Sequence, residues 1–144
     1  MKNFSGFALA AILALAGRAG WADDITGAER LLCASVQATV CFEDGECATD
    51  VPQNLNIPDF IEVDLEARRL STTVASGLNQ STPIAHLSRE DGSIVLQGFE
   101  MGRAFSWVIN EQTGRVSVAV AAGDRTVAVF GACTPLASAT EPGR

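Results

Sequence analysis

The chain has 144 residues, 10 basic and 17 acidic, with four cysteines and no tyrosine. This length suits one domain and leaves no room for a second hydrophobic core. Two of the basic residues, Lys2 and Arg18, precede residue 23, so the chain beyond residue 22 carries a net charge of −9. An acidic surface of this kind repels nucleic acid and anionic lipid headgroups, so we expect neither as a partner.

The N-terminal segment has the three parts of an export signal. Lys2 supplies a positive charge, residues 7–16 form an apolar run, and Gly20-Trp21-Ala22 places small residues where a signal peptidase cleaves. The apolar run is too short for a membrane helix, which needs roughly 20 residues. The sequence therefore predicts a signal peptide (1–22), one disulfide-linked domain (23–134), a flexible tail (135–144) and a periplasmic or secreted location without a membrane span after cleavage.

The first segment beyond the signal carries a helix-start pattern. Thr26 and Glu29 are spaced as in a capping box, in which each side chain bonds the other residue's backbone amide. We therefore predict a short N-terminal helix that turns Leu31, Leu32 and Val36 toward the body of the domain.

The rest of the chain alternates apolar and polar residues with a period of two, as half-buried strands do. Turn signals recur every ten to twelve residues. This spacing predicts an all-β antiparallel meander of about seven or eight strands, which we expect to close as a small barrel rather than a two-sheet sandwich. The clearest alternating runs are 61–65, 70–74, 105–109 and 116–120.

The turns also predict strand register. Loops at 66–69 and 111–114 and a two-residue turn at Asp91-Gly92 would each close a hairpin. The expected cross-strand pairs are Ile109 with Val116, Trp107 with Val118, Phe105 with Val120, Leu65 with Leu70, Val63 with Thr72, Ile61 with Val74, and His86 with Gln97.

The four cysteines allow three disulfide pairings. A bulged hairpin with Gly45 in a left-handed conformation would set Cys41 opposite Cys47, about 4.5–5.5 Å apart between Cα atoms, within disulfide reach. That pairing leaves Cys33 with Cys133, whose bridge closes a loop worth about 4–5 kcal/mol in the chain-entropy model. A zinc or redox site is less consistent with these spacings, because no C-x-x-C motif is present. We predict structural disulfides and no metal.

No residue pattern indicates catalysis. His86 is the sole histidine and has no nucleophile motif near it. The acidic residues at 43, 44, 46 and 50 lack the ligand spacing of a calcium loop, so we interpret them as a solvated hairpin tip. The alternating Glu62, Asp64 and Glu66 are typical of charges that protect an exposed strand from aggregation. We therefore predict a non-enzymatic protein without a cofactor.

A ligand cavity is the remaining possibility for a site. Phe105, Trp107 and Phe130 could line the interior of a barrel, and about eight strands leave room for side chains or for one small ligand. Because these side chains are large, we expect them to fill the interior.

Several stretches resemble an uncharacterised family of small exported bacterial β proteins with four cysteines. The resemblance covers most of the chain beyond the signal and is most specific in the cysteine spacing and the ending Gly131-Ala132-Cys133-Thr134. It implies an exported β domain with paired cysteines and no known activity. Other matching pieces are Leu32-Cys33, Asp44-Gly45-Glu46-Cys47, Asn56-Ile57-Pro58, Asp64-Leu65-Glu66-Ala67, Thr82-Pro83-Ile84, Leu96-Gln97-Gly98 and Ile109-Asn110-Glu111.

Two functions fit these observations. In the first, an exported binding protein of unknown specificity recognises a basic protein or envelope component through its acidic surface. In the second, the protein carries a small apolar ligand in the barrel interior near Phe105 and Trp107.

Overall fold

The structure is a computed structural model that describes residues 23–137. The predicted signal peptide (1–22) and residues 138–144 of the predicted tail lie outside the described residues. No helix among residues 23–137 is long and apolar enough to cross a membrane.

The described chain is all-β, with antiparallel strands and two short 3-10 turns at Pro52–Leu55 and Val74–Ser76. The strands are β1 (Arg30–Phe42), β2 (Cys47–Asp50), β3 (Phe60–Asp64), β4 (Arg69–Thr72), β5 (Ser81–Pro83), β6 (His86–Glu90), β7 (Ser93–Glu100), β8 (Arg103–Asn110), β9 (Arg115–Ala121) and β10 (Arg125–Pro135).

All ten strands belong to one sheet that curls into a half-barrel. Its order is β5-β4-β3-β1-β10-β9-β8-β7-β6, and β2 pairs with the second half of β1. The outer strands β5 and β6 are separated in the chain only by Ile84 and Ala85. The Ile84 amide donates to Arg68 O and the Ala85 amide to Gln97 O, each at 2.9 Å. This short link therefore connects the two edge strands of the curled sheet, β5 and β6.

The predicted N-terminal helix is wrong. Asp24 Oδ1 accepts hydrogen bonds from the Thr26 amide (2.9 Å) and hydroxyl (2.6 Å), and Gly27 adopts a φ of 77°, so residues 24–27 form a turn. β1 begins at Arg30 and pairs with β10 along most of its length. Side-chain bonds of Asp and Thr to the local backbone compete with a helix, and the long ladder to β10 favours the extended chain.

The strand count is also higher than the predicted seven or eight. β1 replaces the expected helix, while β2 and β5 have only four and three residues. Runs of that length are too short to show a period of two in the sequence.

Strand register agrees with prediction in three hairpins, one of which sets Cys41 opposite Cys47, and differs in a fourth. Phe105, Trp107 and Ile109 lie opposite Val120, Val118 and Val116, and His86 lies opposite Gln97. The β3–β4 register is shifted by two residues, because the turn occupies 65–68 rather than 66–69.

The β3–β4 turn explains this shift. Asp64 Oδ1 accepts the Ala67 amide at 2.7 Å, and Arg68 adopts a left-handed φ of 53°. Val63 therefore pairs with Leu70. A two-residue shift keeps every side chain on its expected face.

One end of the half-barrel, here called the closed end, is filled. The turns 65–68, 91–92 and 111–114 gather there with segment 23–29, whose Ile25 amide donates to Glu111 O at 2.8 Å. Four residues with no exposed surface belong to the same core cluster as Ile25: Leu31, Ile94, Leu96 and Ile109. The opposite end, here called the open end, carries the turns 43–46, 101–102 and 122–124 and the segments 51–59 and 73–80.

Candidate ligand cavity at the open end

A cavity of about 1090 Å³ occupies the interior of the half-barrel at the open end. Small-molecule sites are typically about 300–1,000 Å³, so this space is large enough for one ligand of modest size. The expectation that large side chains fill the interior thus holds at the closed end but not at the open end.

The wall of the cavity is mainly apolar because strands from both halves of the sheet turn one face inward. Along β9 and β10 the inward positions are alternate valines, which follow the period of two in the sequence. The apolar lining residues include Val40, Ile61, Leu70, Phe105, Trp107, Val118, Val120, Val127 and Val129.

The ring of Phe105 lies close to Gly98, its cross-strand partner on β7. A Cβ at position 98 would overlap Phe105 Cζ and lie 2.8 Å from Cε1 and 3.0 Å from Pro83 O. Glycine at this position therefore lets the ring pack on the β7 backbone and keeps it from standing further into the cavity.

Polar side chains also line the cavity, and two residues with a polar group are almost fully buried. Thr82 and Trp107 are 7% and 5% exposed, both line the cavity, and neither side chain hydrogen-bonds to a described residue. The unpartnered side-chain atoms that are sealed from solvent in residues 23–137 are Asp59 Oδ1 and Thr73 Oγ1. The hydroxyl of Thr82 and the indole N–H of Trp107 are therefore not sealed from solvent, and both residues border the cavity.

The rim of the cavity is charged. Glu100 and Arg103 come from β7 and β8, and Arg103 is exposed and forms no ion pair with a described residue. Arg125 pairs with Asp124 at 2.6 Å and lies 5.4 Å from the centre of the Phe42 ring. The hydrogen bond from Arg125 lowers the pKa of Asp124, and the same bond raises the pKa of Arg125.

The acidic residues of the β1–β2 hairpin make local bonds. Asp44 Oδ1 accepts the Glu46 amide at 3.0 Å, which shapes the turn. Asp50 accepts hydrogen bonds from the Asn54 side-chain amide at 3.0 Å and from the Val51 backbone amide at 2.7 Å. Both bonds lower the pKa of Asp50, and the bond from Asn54 has the larger effect. Within residues 23–137, no group of three His, Cys, Asp or Glu side chains is placed to hold a metal ion.

The other candidate side chains lie apart from the cavity. His86 is exposed at the start of β6, opposite Gln97. Glu62 and Asp64 form ion pairs with Arg30 at 3.5 and 3.8 Å.

Phe105 and Trp107 line the cavity as the sequence suggested, but the placement of Phe130 in a cavity wall is wrong. Phe130 is 55% exposed on the outer face of β10. Strand alternation turns Val127 and Val129 inward and therefore turns Phe130 outward.

Sequence reasoning missed Thr82 and Gly98 as parts of the site. Thr82 lies in a three-residue strand without periodicity, so nothing marked its buried face. Gly98 gave a weak signal, since a glycine within a strand pattern often marks a close backbone approach.

Both predicted disulfides are present. Cys41–Cys47 staples the β1–β2 hairpin, whose Gly45 has a left-handed φ of 89°, and Cys33–Cys133 joins β1 to β10 inside the core. The described chain contains no free cysteine. Two structural disulfides indicate an oxidising compartment outside the cytoplasm.

Searches of protein-family models, curated proteins and solved structures find no match to this chain. The open-end cavity is thus the feature of the described chain that best indicates a function.

Proposed function

We propose that this protein is a non-enzymatic carrier, periplasmic or secreted, that holds a small apolar ligand in the open-end cavity. The observation that carries the proposal is a space of about 1090 Å³ whose wall is mainly aliphatic and aromatic, with polar side chains among them. Apolar surface moved from water into such a space contributes roughly 25 cal/mol for each Å² buried. A ligand with a largely apolar body is therefore the class that this wall favours.

The fold supports this function through the difference between its two ends. Ile25 and its buried neighbours make the closed end a rigid base, and the disulfide Cys33–Cys133 lies in the same core. The open end, bordered by turns and by the segments 51–59 and 73–80, is the side from which a ligand would enter. A preformed, largely apolar concave site of this kind is typical of small-molecule binding.

A second candidate function is recognition of a basic protein or envelope component. It is favoured by the exposed carboxylates Glu43, Asp44 and Glu46, which form no ion pair with a described residue and project from one hairpin turn. Such a surface would speed association with a basic partner, and the association would weaken as salt rises.

Native mass spectrometry of the protein purified with both disulfides formed, from the compartment where it accumulates, separates the two functions. A bound mass of a few hundred daltons that survives high salt supports the carrier. A protein-sized adduct present at low salt and lost at high salt supports acidic-surface recognition. If the protein carries no adduct and also fails to take up added apolar compounds, the carrier function is wrong.

A further inference from the structure

The two unpartnered donors on the cavity wall restrict which apolar ligand fits. The indole N–H of Trp107 can only donate, and the Thr82 hydroxyl can donate or accept. Both side chains are more than nine-tenths buried and line the cavity without a described partner. A ligand that fills this space without offering an acceptor would strip water from both groups and leave them unpaired, which is unfavourable.

The charge of that acceptor is restricted as well. The arginines that line the cavity, Arg103 and Arg125, are exposed residues at the ends of their strands. Arg125 is already paired with Asp124. A carboxylate carried to the level of Thr82 and Trp107 would therefore be desolvated without a cation beside it among the described residues, and an unpaired buried charge is strongly disfavoured.

From these observations we infer that the open-end cavity selects a neutral apolar molecule that carries an acceptor oxygen, a carbonyl or hydroxyl. Thr82 and Trp107 are the buried donors available to that oxygen, while the valines and Phe105 enclose the apolar body. The inference rests on the proposed carrier function and adds its ligand class. Sites built to hydrogen-bond a ligand group discriminate strongly against analogues that lack it, because their own polar groups are then left unpaired.

Displacement of the fluorescent apolar probe N-phenyl-1-naphthylamine from the exported protein, with both disulfides formed, tests this ligand class. Three competitors share a benzene ring with a four-carbon chain: butyrophenone has a neutral carbonyl in the chain, butylbenzene has no acceptor, and 4-butylbenzoate has a carboxylate on the ring. We expect Thr82→Val, which replaces the hydroxyl by a methyl group of similar size, to lower the affinity for butyrophenone about five-fold, because one hydrogen bond is lost. The same variant should change the affinity for butylbenzene by no more than about two-fold, because butylbenzene accepts no hydrogen bond.

Two further variants make the result specific. Thr82→Ser keeps the hydroxyl and should retain the preference for butyrophenone. Thr126 is an exposed threonine on β10, so Thr126→Val should leave the affinities for all three competitors unchanged. Thermal melting of each variant reports whether the fold is intact.

The outcomes separate this inference from the function on which it rests. If the probe binds and Thr82→Val weakens butyrophenone and butylbenzene equally, the role of Thr82 is overturned and the carrier function stands. If 4-butylbenzoate binds most tightly of the three, the neutral ligand class is overturned. If neither the probe nor any competitor binds, the carrier function itself fails, and the inference fails with it.

Discussion

The ring of Phe105 packs on the backbone of Gly98 across the β7–β8 ladder, at a separation that a Cβ on residue 98 would not permit. This contact sets where the aromatic wall of the cavity lies. It also makes position 98 sensitive to the smallest substitution, because Pro83 O approaches from a third strand.

We therefore expect Gly98→Ala to displace the Phe105 ring and to destabilise the fold by about 1–3 kcal/mol, as overpacking does. Urea denaturation measures the change in the free energy of unfolding. Gly123→Ala is the matched control, because a Cβ there meets nothing within 4 Å and the residue has no positive φ. Equal stability of the two variants would contradict the close packing of Phe105 on Gly98.

The two disulfides should differ in their contribution to stability. Cys33–Cys133 spans a sequence separation of 100 and Cys41–Cys47 one of 6. In the chain-entropy model the longer loop is worth about 4–5 kcal/mol and the shorter about 2–3 kcal/mol. We expect the double variant Cys33→Ala/Cys133→Ala to melt at a lower temperature than Cys41→Ala/Cys47→Ala. Equal or reversed melting temperatures would refute this order.

Ile25 should be essential to the closed end although it lies in a turn. Its side chain has no exposed surface and belongs to the main hydrophobic core. We expect Ile25→Ala to lower the free energy of unfolding by about 2–5 kcal/mol, the range for a buried aliphatic truncation. Val36→Ala, at a residue that is 65% exposed, should change it by less than about 0.5 kcal/mol. A small effect at Ile25 would mean that segment 23–29 does not close this end.

Stability should fall in acid through particular carboxylates. Hydrogen bonds from Asn54 and then Val51 hold the pKa of Asp50 below its usual value. A carboxyl whose pKa is lower in the folded state stabilises the fold above its unfolded pKa, about 3.9, and that stabilisation is lost as pH falls through the folded pKa. The melting temperature should therefore drop between about pH 5 and pH 2.

The Asp50→Asn variant isolates this contribution. It should show a smaller drop than the parent, because the titrating group is gone, while Glu66→Gln at an exposed carboxylate without a hydrogen bond should match the parent. Identical acid profiles for Asp50→Asn and the parent would show that Asp50 does not contribute to the loss of stability in acid.

The sequence predicted the parts of the fold that depend on strand alternation and turn chemistry. The β8–β9 ladder followed from the pairing of Phe105, Trp107 and Ile109 with three valines, and the Cys41–Cys47 bridge followed from a glycine at the turn position that needs a positive φ. In both cases local pattern and long-range packing favour the same arrangement.

The predictions failed where tertiary packing overrode a local signal. Thr26 and Glu29 have the spacing of a capping box, but the Thr26 amide donates to Asp24 instead, and the following residues pair with β10 as a strand. The cavity could not be read from the sequence, because it depends on how far the sheet curls and on the packing of Phe105 against Gly98. The burial of Thr82 could not be predicted for a related reason, because it comes from neighbours that are distant in the chain.

The most direct test of the carrier function is a titration of the oxidised full chain and of Val120→Trp with N-phenyl-1-naphthylamine. Val120 lines the cavity opposite Phe105, so a tryptophan there should fill the space, whereas Val108→Trp, at a residue 43% exposed on β8 outside the cavity lining, is the matched control. We predict saturable binding to the parent and to Val108→Trp, and at least ten-fold weaker binding to a folded Val120→Trp variant. Equal binding by all three proteins, or no binding by the parent, would contradict this prediction.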